Sequence, residues 1–531
     1  MRRRDVLKGM AAAPFAAGTL AAPALGQNLD ARTLRVIQGY SLSSIDPVWT
    51  TASASNDLAY LVYDQLFGMD ADFNMQLQMA ESWSSEDDAR THIITLRDGL
   101  KFHDGEPVRA NDCVASINRW ASKDSTGQAL GRLIDKMDVM DDRTFRIRLT
   151  QPFAWLAHAI GKPNSSQCAI MPERFASMPS SEQVPEAIGS GPFRFLPEEF
   201  ISGSQAIFTR FEDYVPRSEP VSGNAGGKVA QLDRIEWSFI TDPSTAMAAL
   251  QTGQQDYWTQ PLPDLVPLLQ ADPNLVVRSR IAGGIAYSLV MNHLHAPFDN
   301  PAVRQAVAMA VDQEQFMQAA AGGNPGSSGF CQSFYMCDTA YATEDAGAAL
   351  RERNIEKARQ ALADSGYQGE TVVVLGVTDP PALASISLVT NDLLRQIGFN
   401  VDYVTTDFAG MTQRRVSKDA PTAGGWSVFN STYGGTGLLN PLYNIMLRGA
   451  GEKSWFGWPD NAELERLRDQ WMVSTDPAEQ AALAEAIQVE GFKTLPYIPL
   501  GYSLQPQAWR KNLTGVYDGP NYPLWSIGKE A

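Results

Sequence analysis

Short runs of β-type residues alternate along the chain with stretches whose apolar positions return at helical spacing. Leu34-Arg35-Val36-Ile37-Gln38 reads as a first strand, and Asn56 to Phe67 as a helix with Leu58, Leu61, Val62 and Leu66 on one face. His92 to Leu96 and Thr144 to Leu149 are strand-like, and Asn111 to Ser122 is a helix with Asn111 as its cap. Ile235 to Ile240 predicts a strand, followed by a helix over Ser244 to Gln251. Val303 to Ala320 and Ile355 to Ala363 predict helices, Thr371 to Val377 a buried strand, Ile386 to Ile397 a helix and Val401 to Thr405 a strand. This mixing predicts α/β lobes rather than a sandwich or a bundle. No internal repeat is found. The Gly/Ser/Asn-rich segments Ser218 to Gly227 and Gly322 to Gly329 read as surface loops, since periodic segments resume after each.

Length extends this picture: 531 residues, 44% hydrophobic and 19% charged, exclude disorder and predict two or three lobes. The 43 Lys+Arg against 60 Asp+Glu give a formal charge of −17. With no basic block beyond the first few residues, the chain has no footprint for nucleic acid or an anionic membrane surface. After residue 26 no apolar stretch reaches the length of a spanning helix.

The extreme N-terminus reads as a targeting segment. Arg2-Arg3-Arg4 and Asp5-Val6-Leu7-Lys8 precede a mildly apolar run from Gly9 to Ala22 and the small residues at Ala24-Leu25-Gly26. Pro14, Pro23, Gly9 and Gly18 oppose a structural helix. The expectation is a twin-arginine export signal over residues 1–26, with no Cys at the cleavage point for a lipid anchor, and a mature protein free in a bacterial periplasm.

Four cysteines in so long a chain make no disulfide scaffold, although export places them in an oxidising compartment. Cys113 and Cys168 lie in patterned segments and read as buried small hydrophobes. Cys331 and Cys337 flank the short loop Gln332 to Met336 and could close it as a local bridge, two free thiols being the alternative.

Motifs for catalysis are missing. There is no Gly-x-Ser-x-Gly elbow, no His-Glu-x-x-His, no phosphate-cradling Gly-rich loop and no Cys-x-x-Cys, so neither an enzyme nor a cofactor is expected. His293 and His295 alternate as a metal pair would on a strand, yet read better as a solvated strand end before Pro297. Asp70-Ala71-Asp72-Phe73-Asn74 imitates a calcium loop, but Met75 stands where the sharp turn needs Gly, so a polar β-turn is expected.

One stretch is specific. Ala80-Glu81-Ser82-Trp83, then Thr91-His92-Ile93-Ile94-Thr95-Leu96-Arg97-Asp98-Gly99-Leu100-Lys101-Phe102-His103-Asp104-Gly105-Glu106-Pro107-Val108, then Asn111-Asp112, resembles the signature of the extracytoplasmic solute-binding proteins of ABC importers. The resemblance is to their family of dipeptide-, oligopeptide- and nickel-binding proteins. It continues at Gly189-Ser190-Gly191-Pro192-Phe193, and at Arg210-Phe211-Glu212-Asp213-Tyr214, with Tyr where Trp is usual. Pro297-Phe298-Asp299-Asn300-Pro301-Ala302-Val303-Arg304-Gln305-Ala306, Ala310-Val311-Asp312 and Glu356-Lys357-Ala358-Arg359 extend it. Each motif also has a structural reading: Asp-Gly turns at Asp98-Gly99 and Asp104-Gly105, a helix cap at Asn300, and core aromatics at Trp83 and Phe102.

The resemblance implies an α/β, two-lobed periplasmic-binding-protein fold with an extra subdomain in lobe I. Lobe I would comprise residues 30–70, 190–281 and a tail 503–531, the inserted subdomain 71–189, and lobe II 285–500. Hinges would lie near Ile281 to Ala286 and Leu500 to Ser503. A monomer would capture a peptide or peptide-like small molecule between the lobes and deliver it to an inner-membrane ABC permease. For the ligand pocket the resemblance nominates Trp49 and Ser55 from lobe I, and Met291, Asn292, Trp426, Ser427, Phe429, Asn430 and Tyr433 from lobe II, with Trp426 as a flat apolar wall.

The chain departs from its peptide-binding relatives in one respect. They carry an Asp shortly after the Gly-Trp to hold a peptide's α-ammonium, whereas here Val428, Phe429 and Asn430 follow, with no carboxylate through Leu439. The usual dipeptide mode is therefore in question, nickel is disfavoured by the absence of His in this segment, and a larger neutral or amphipathic solute is indicated. A ligand-dependent sensor or chaperone on the same scaffold is the alternative, and an exported hydrolase the least supported reading.

Overall fold

A computed structural model describes residues 31–164, 166–321, 326–350, 353–517, 519 and 521–530. The export segment expected over residues 1–26 and part of the Gly322 to Gly329 loop lie outside them. An eleven-stranded sheet runs through the molecule. Its strands are β1 Thr33–Ile37, β2 Phe193–Phe195, β3 Gln205–Arg210, β4 Arg234–Ser238, β5 Tyr257–Trp258, β6 Leu275–Met291, β7 Ser328–Gly329, β8 Thr371–Val377, β9 Asn400–Thr406, β10 Val428–Gly434 and β11 Tyr497–Arg510. Across the sheet the order is β9-β8-β10-β6-β11-β5-β1-β4-β3-β2, with β7 on the edge of β11.

Strand directions decide where a ligand site can form. β1, β4 and β5 are parallel, and both β5 and β6 run antiparallel to β11, so these three strands point the same way as the first half of β6. β8, β9 and β10 are parallel too, and β10 runs antiparallel to the second half of β6. Two parallel sets therefore aim their carboxyl ends at the middle of β6 from opposite sides. The β6–β11 ladder is irregular at that point. Register shifts between Arg280 and Ile285, and again between Ala286 and Ser288, where β11 passes from Tyr502 to Pro499. Gly501 sits in the second irregularity at φ 100°, which its missing Cβ permits. The result is a mixed α/β fold of two lobes joined by a pair of long strands.

Alternation along β6 separates two cores. Tyr287, Leu289 and Met291 pack with Val372, Val374, Val428 and Ile498 beneath helices Pro301–Ala310, Gln313–Ala321, Ile355–Asp364 and Pro381–Ile397. Val290, on the opposite face, joins Phe429, Leu375 and Tyr497 in a larger core that continues into the N-terminal half. A third cluster, with Ile37, Leu250, Trp258 and Leu275, lies under helix Pro243–Gln251. Apart from the main sheet, four antiparallel strands, Ala80–Glu86, Thr91–Leu96, Thr144–Leu149 and Ile134–Val139, pair in that order beside helix Ala110–Lys123.

Local chemistry corrects several expected boundaries. The helix expected over Asn56 to Phe67 spans Ser53–Val62, and Phe67 instead begins a short strand, Phe67–Met69, facing Met75–Leu77. The turn between them is the polar β-turn expected: Asp70 Oδ1 accepts from the amides of Asp72 and Asn74 at 3.0 and 2.8 Å. Asn111 is not the cap of its helix; Asp112 reaches back to the Arg109 amide at 2.7 Å, which starts the helix a residue earlier. The single helix expected over Val303 to Ala320 is two, because Val311 turns to extended backbone and Asp312 Oδ1 accepts from the Glu314 amide at 3.1 Å. Asn300 caps the first of them through the Ala302 amide at 2.9 Å. Ser218 to Gly227 is only partly a surface loop, since Gly223 to Gly227 are buried and lead to Lys228, which is buried against Asp64 at 2.8 Å. Its backbone also lies against Gly68, where a Cβ would come within 2.6 Å of the Asn224 carbonyl.

Candidate functional site

The opposed strand ends meet around a small set of polar and aromatic side chains. Just beyond β1, Gln38 Nε2 donates to Asp57 Oδ2 at 3.0 Å, and Gln38 Oε1 accepts from Thr259 Oγ1 at 2.9 Å. Thr259 follows β5, so this amide ties two parallel strand ends to the first helix. Tyr40, two residues on, is half exposed; burial of its hydroxyl and the Asp57 carboxylate both raise its pKa. Tyr287 on β6 shares a 3.0 Å hydrogen bond with Ser503 of β11, and its pKa is raised by burial and further by Tyr40.

On the far side Tyr433 pairs with Ala286 across β10 and β6. It is packed closely: a Cβ at Gly437 would lie 2.0 Å from its ring and 2.9 Å from Asn164 Nδ2. Thr436 Oγ1 donates to Asn164 Oδ1 at 2.8 Å, and Tyr443 OH donates to the His158 carbonyl at 2.7 Å. Behind Asn164 lies a buried ion pair, Lys162 Nζ to Asp124 Oδ2 at 2.5 Å. Burial, then the Asp124 charge, pushes the Tyr433 hydroxyl well above the ordinary tyrosine range. Adjoining this junction is a cavity of about 20 Å³, whose walls include Ala286, Ser288, Tyr335, Met446 and Tyr502. A larger groove of about 430 Å³ lies elsewhere, between Arg132 and Phe153 on one side and Arg466 and Asp469 on the other.

The residues nominated from sequence are not gathered in one place. Of those from the second half of the chain, Tyr433 stands at the strand ends. Trp426 is 0% exposed, donates Nε1 to the Arg415 carbonyl at 3.0 Å, and packs edge-on against Phe429 and obliquely against Trp458. That is the setting of a core tryptophan rather than of a wall. Phe429 is equally buried, beneath the Arg415 guanidinium. Asn292 Nδ2 donates to the Trp426 carbonyl at 2.9 Å, and Ser427 Oγ accepts from the Val373 amide at 3.0 Å, so both pin β10 to its neighbours. Met291 is wholly within a core. Asn430 Nδ2 reaches the Ser288 carbonyl at 3.5 Å while its buried Oδ1 has no partner.

In the first half, Ser55 is buried and donates to the Ser44 carbonyl at 2.6 Å. Trp49 is 37% exposed under Lys123 Nζ, 4.7 Å from its ring centre. The turn it sits on is held by Asp46, which takes the Val48 and Trp49 amides and the Arg119 guanidinium. Sequence reading missed Tyr40, Asn164, Tyr287, Thr436 and Tyr443. The signal for Tyr40 was its place just past the first parallel strand; for the others, no signal preceded the fold.

Cys331 and Cys337 form a disulfide, and Cys113 and Cys168 are free and buried. His293 and His295 do not work together. Burial lowers the His293 pKa to about 3, while His295 Nε2 is bonded to the Lys418 carbonyl at 2.9 Å. Among the described residues no group of His, Cys, Asp and Glu has the arrangement to hold a metal, and no helix is long and apolar enough to cross a membrane.

In open α/β sheets ligands bind outside the carboxyl ends of the strands, which makes this junction the candidate binding site. Residues 74–454 match the family described as Bacterial extracellular solute-binding proteins, family 5 Middle. The chain belongs to the family 5 bacterial extracellular solute-binding proteins. It is 38% identical to a probable peptide ABC transporter periplasmic-binding protein of Sinorhizobium fredii, over 99% of both chains. It is 26% identical to a glutathione-binding protein of Salmonella typhi, over 97% of this chain and 96% of that one. The fold is similar to that of a binding protein from A. tumefaciens R10 solved with agropinic acid, with a TM-score of 0.78 and 21% identity over 94% of this chain and 99% of the other.

Proposed function

We propose that this protein is the periplasmic binding component of an ABC importer, and that it captures a peptide or peptide-like solute between its lobes for delivery to a permease. The observation that carries this reading is the meeting of two parallel strand sets, carboxyl ends inward, at the irregular middle of β6 and β11. The peptide and glutathione ligands named for its relatives support the solute class. In this reading Tyr40 at the β1 end and Asn164 and Tyr433 at the β10 end contact the ligand, and Asp57 brings a carboxylate to the β1 end where a ligand ammonium would need one.

In this reading lobe I comprises residues 30–70, 190–281 and 503–531, the subdomain 71–189 and lobe II 285–500, with hinges at 281–286 and 500–503. The ligand favours the closed arrangement by contacting both lobes, and no bond chemistry follows. Residues 1–26 would direct twin-arginine export, and the mature protein would be an unanchored monomer in the periplasm.

Mass spectrometry of small molecules released by denaturing protein purified from its native host tests this, followed by scattering and melting with the solute identified. The expected result is a peptide-like compound that raises the melting temperature and compacts the protein. A solute that stabilises without any compaction would remove the hinge-closure part of the reading.

A further inference from the structure

The cavity beside the strand ends has a composition that selects its occupant. Its walls include Ala286, Ser288, Tyr335, Met336, Met446 and Tyr502, and it is lined by no Asp, Glu, Lys, Arg or His. Ala286 and Tyr502 belong to the β6–β11 pairing at the register shift, so the cavity lies against the same wall as Tyr433. At about 20 Å³ it has room for one or two heavy atoms. Tyr335 is fully buried, and its hydroxyl makes no hydrogen bond within the protein. A buried hydroxyl without a partner is costly, and an occupant able to bond it removes that cost.

One wall is also held in place. Tyr335 and Met336 lie in the loop closed by the Cys331–Cys337 disulfide. That loop is held further by the Met336 amide on the Leu438 carbonyl at 3.0 Å and by Ser333 Oγ on Gln488 Oε1 at 2.6 Å. A rigid wall converts size into selectivity, because the loop cannot move aside for a longer side chain. Charge is rejected as well, since a charged end would lose its hydration where no counter-ion lines the cavity.

We propose that this cavity is a specificity pocket for one small, uncharged side chain of the ligand, of the size of alanine, serine or cysteine, with Tyr335 as the hydrogen-bond partner for a hydroxyl or thiol. This rests on the peptide reading above, and the experiment separates the two. Calorimetry would compare two tripeptide series, Ala-X-Ala and γ-Glu-X-Gly, with X as Gly, Ala, Ser, Cys, Leu, Lys or Glu, on wild type, Tyr335→Phe and Ser288→Val.

In at least one series, affinity should peak at Ala, Ser and Cys and fall about tenfold or more for Leu, Lys and Glu. Tyr335→Phe should weaken the Ser ligand about two- to tenfold relative to Ala and raise the melting temperature of the ligand-free protein, since the unpartnered hydroxyl is gone. Ser288→Val, which narrows the cavity, should move the optimum to Gly. Peptide binding with no preference for small X, or an unchanged Ser-to-Ala ratio in Tyr335→Phe, overturns the pocket and leaves the peptide reading standing. No binding of either series by wild type overturns both.

Discussion

Two of the junctions between the segment 71–189 and the second half of the chain are built from opposite chemistries. At one, Trp155 stacks on Trp471 with ring centres 4.1 Å apart, flanked by Tyr341 and the His158 ring, and both indole N–H groups are buried without partners. At the other, beside the strand ends, the contacts are the directional hydrogen bonds Thr436 to Asn164 and Tyr443 to the His158 carbonyl, backed by the buried Asp124–Lys162 pair. An apolar stack contributes attraction that is tolerant of small shifts, whereas hydrogen bonds contribute little net energy but fix position. The difference assigns most of the holding force to the aromatic junction and most of the positioning to the polar one, nearest the proposed ligand.

The largest expected effect tests the support behind the polar junction. Asp124→Ala removes the carboxylate paired with buried Lys162 and the cap that Asp124 Oδ1 gives the amides of Thr126 and Gly127. Urea unfolding should show a loss of about 3 to 5 kcal/mol from breaking the buried pair, with about 1 kcal/mol more from the cap. A loss under 1 kcal/mol would mean that water reaches the pair.

Trp471→Ala should cost about 3 to 5 kcal/mol, as deletion of a fully buried indole does, and should remove the Trp155 stack. If the aromatic junction holds the halves together, scattering of this variant should also report a more open molecule. An unchanged radius of gyration would place the holding force elsewhere.

Acid distinguishes the junctions further. Burial lowers the His158 pKa to about 4, against about 6.5 unfolded. The neutral imidazole is thus favoured in the fold, so its contribution is complete above pH 6.5 and is lost as pH falls toward 4. With about 1.4 kcal/mol per pH unit in that window and some allowance for partial exposure, about 2 to 3 kcal/mol is at stake. His158→Gln should flatten that part of the stability profile; parallel profiles for the two proteins would exclude His158 as the sensor.

The smallest expected effect is Tyr443→Phe, which deletes one neutral hydrogen bond to the His158 carbonyl and should cost about 1 kcal/mol. Added to Trp471→Ala, it should behave additively if the junctions are independent, and a double-mutant cycle measures any coupling.

Much of the architecture was legible because strands and helices announce themselves locally. Thr371 to Val377, a largely apolar run, is a strand with the expected bounds, and the bridge that the spacing of Cys331 and Cys337 allowed is formed. Asn300 before Pro301 was a cap by its chemistry alone. Where boundaries moved, a single side chain had moved them: Asp112 for one helix and Asp312 for another.

The ligand-facing residues were less legible. Trp426 and Tyr433 are seven residues apart and look alike in sequence as aromatics in a polar neighbourhood. The first is sealed by Phe429, Trp458 and the Arg415 carbonyl, and the second ends a strand against Asn164, some 270 positions earlier in the chain. Sequence by itself determined the family, most element types and the lack of an acid after the Gly-Trp, because each depends on residues near one another in the chain, and it left the Cys331–Cys337 bridge for the structure to decide. Only the tertiary structure decided which aromatics are core and which line the junction, because that depends on strand direction and on partners hundreds of residues away, which no local pattern encodes.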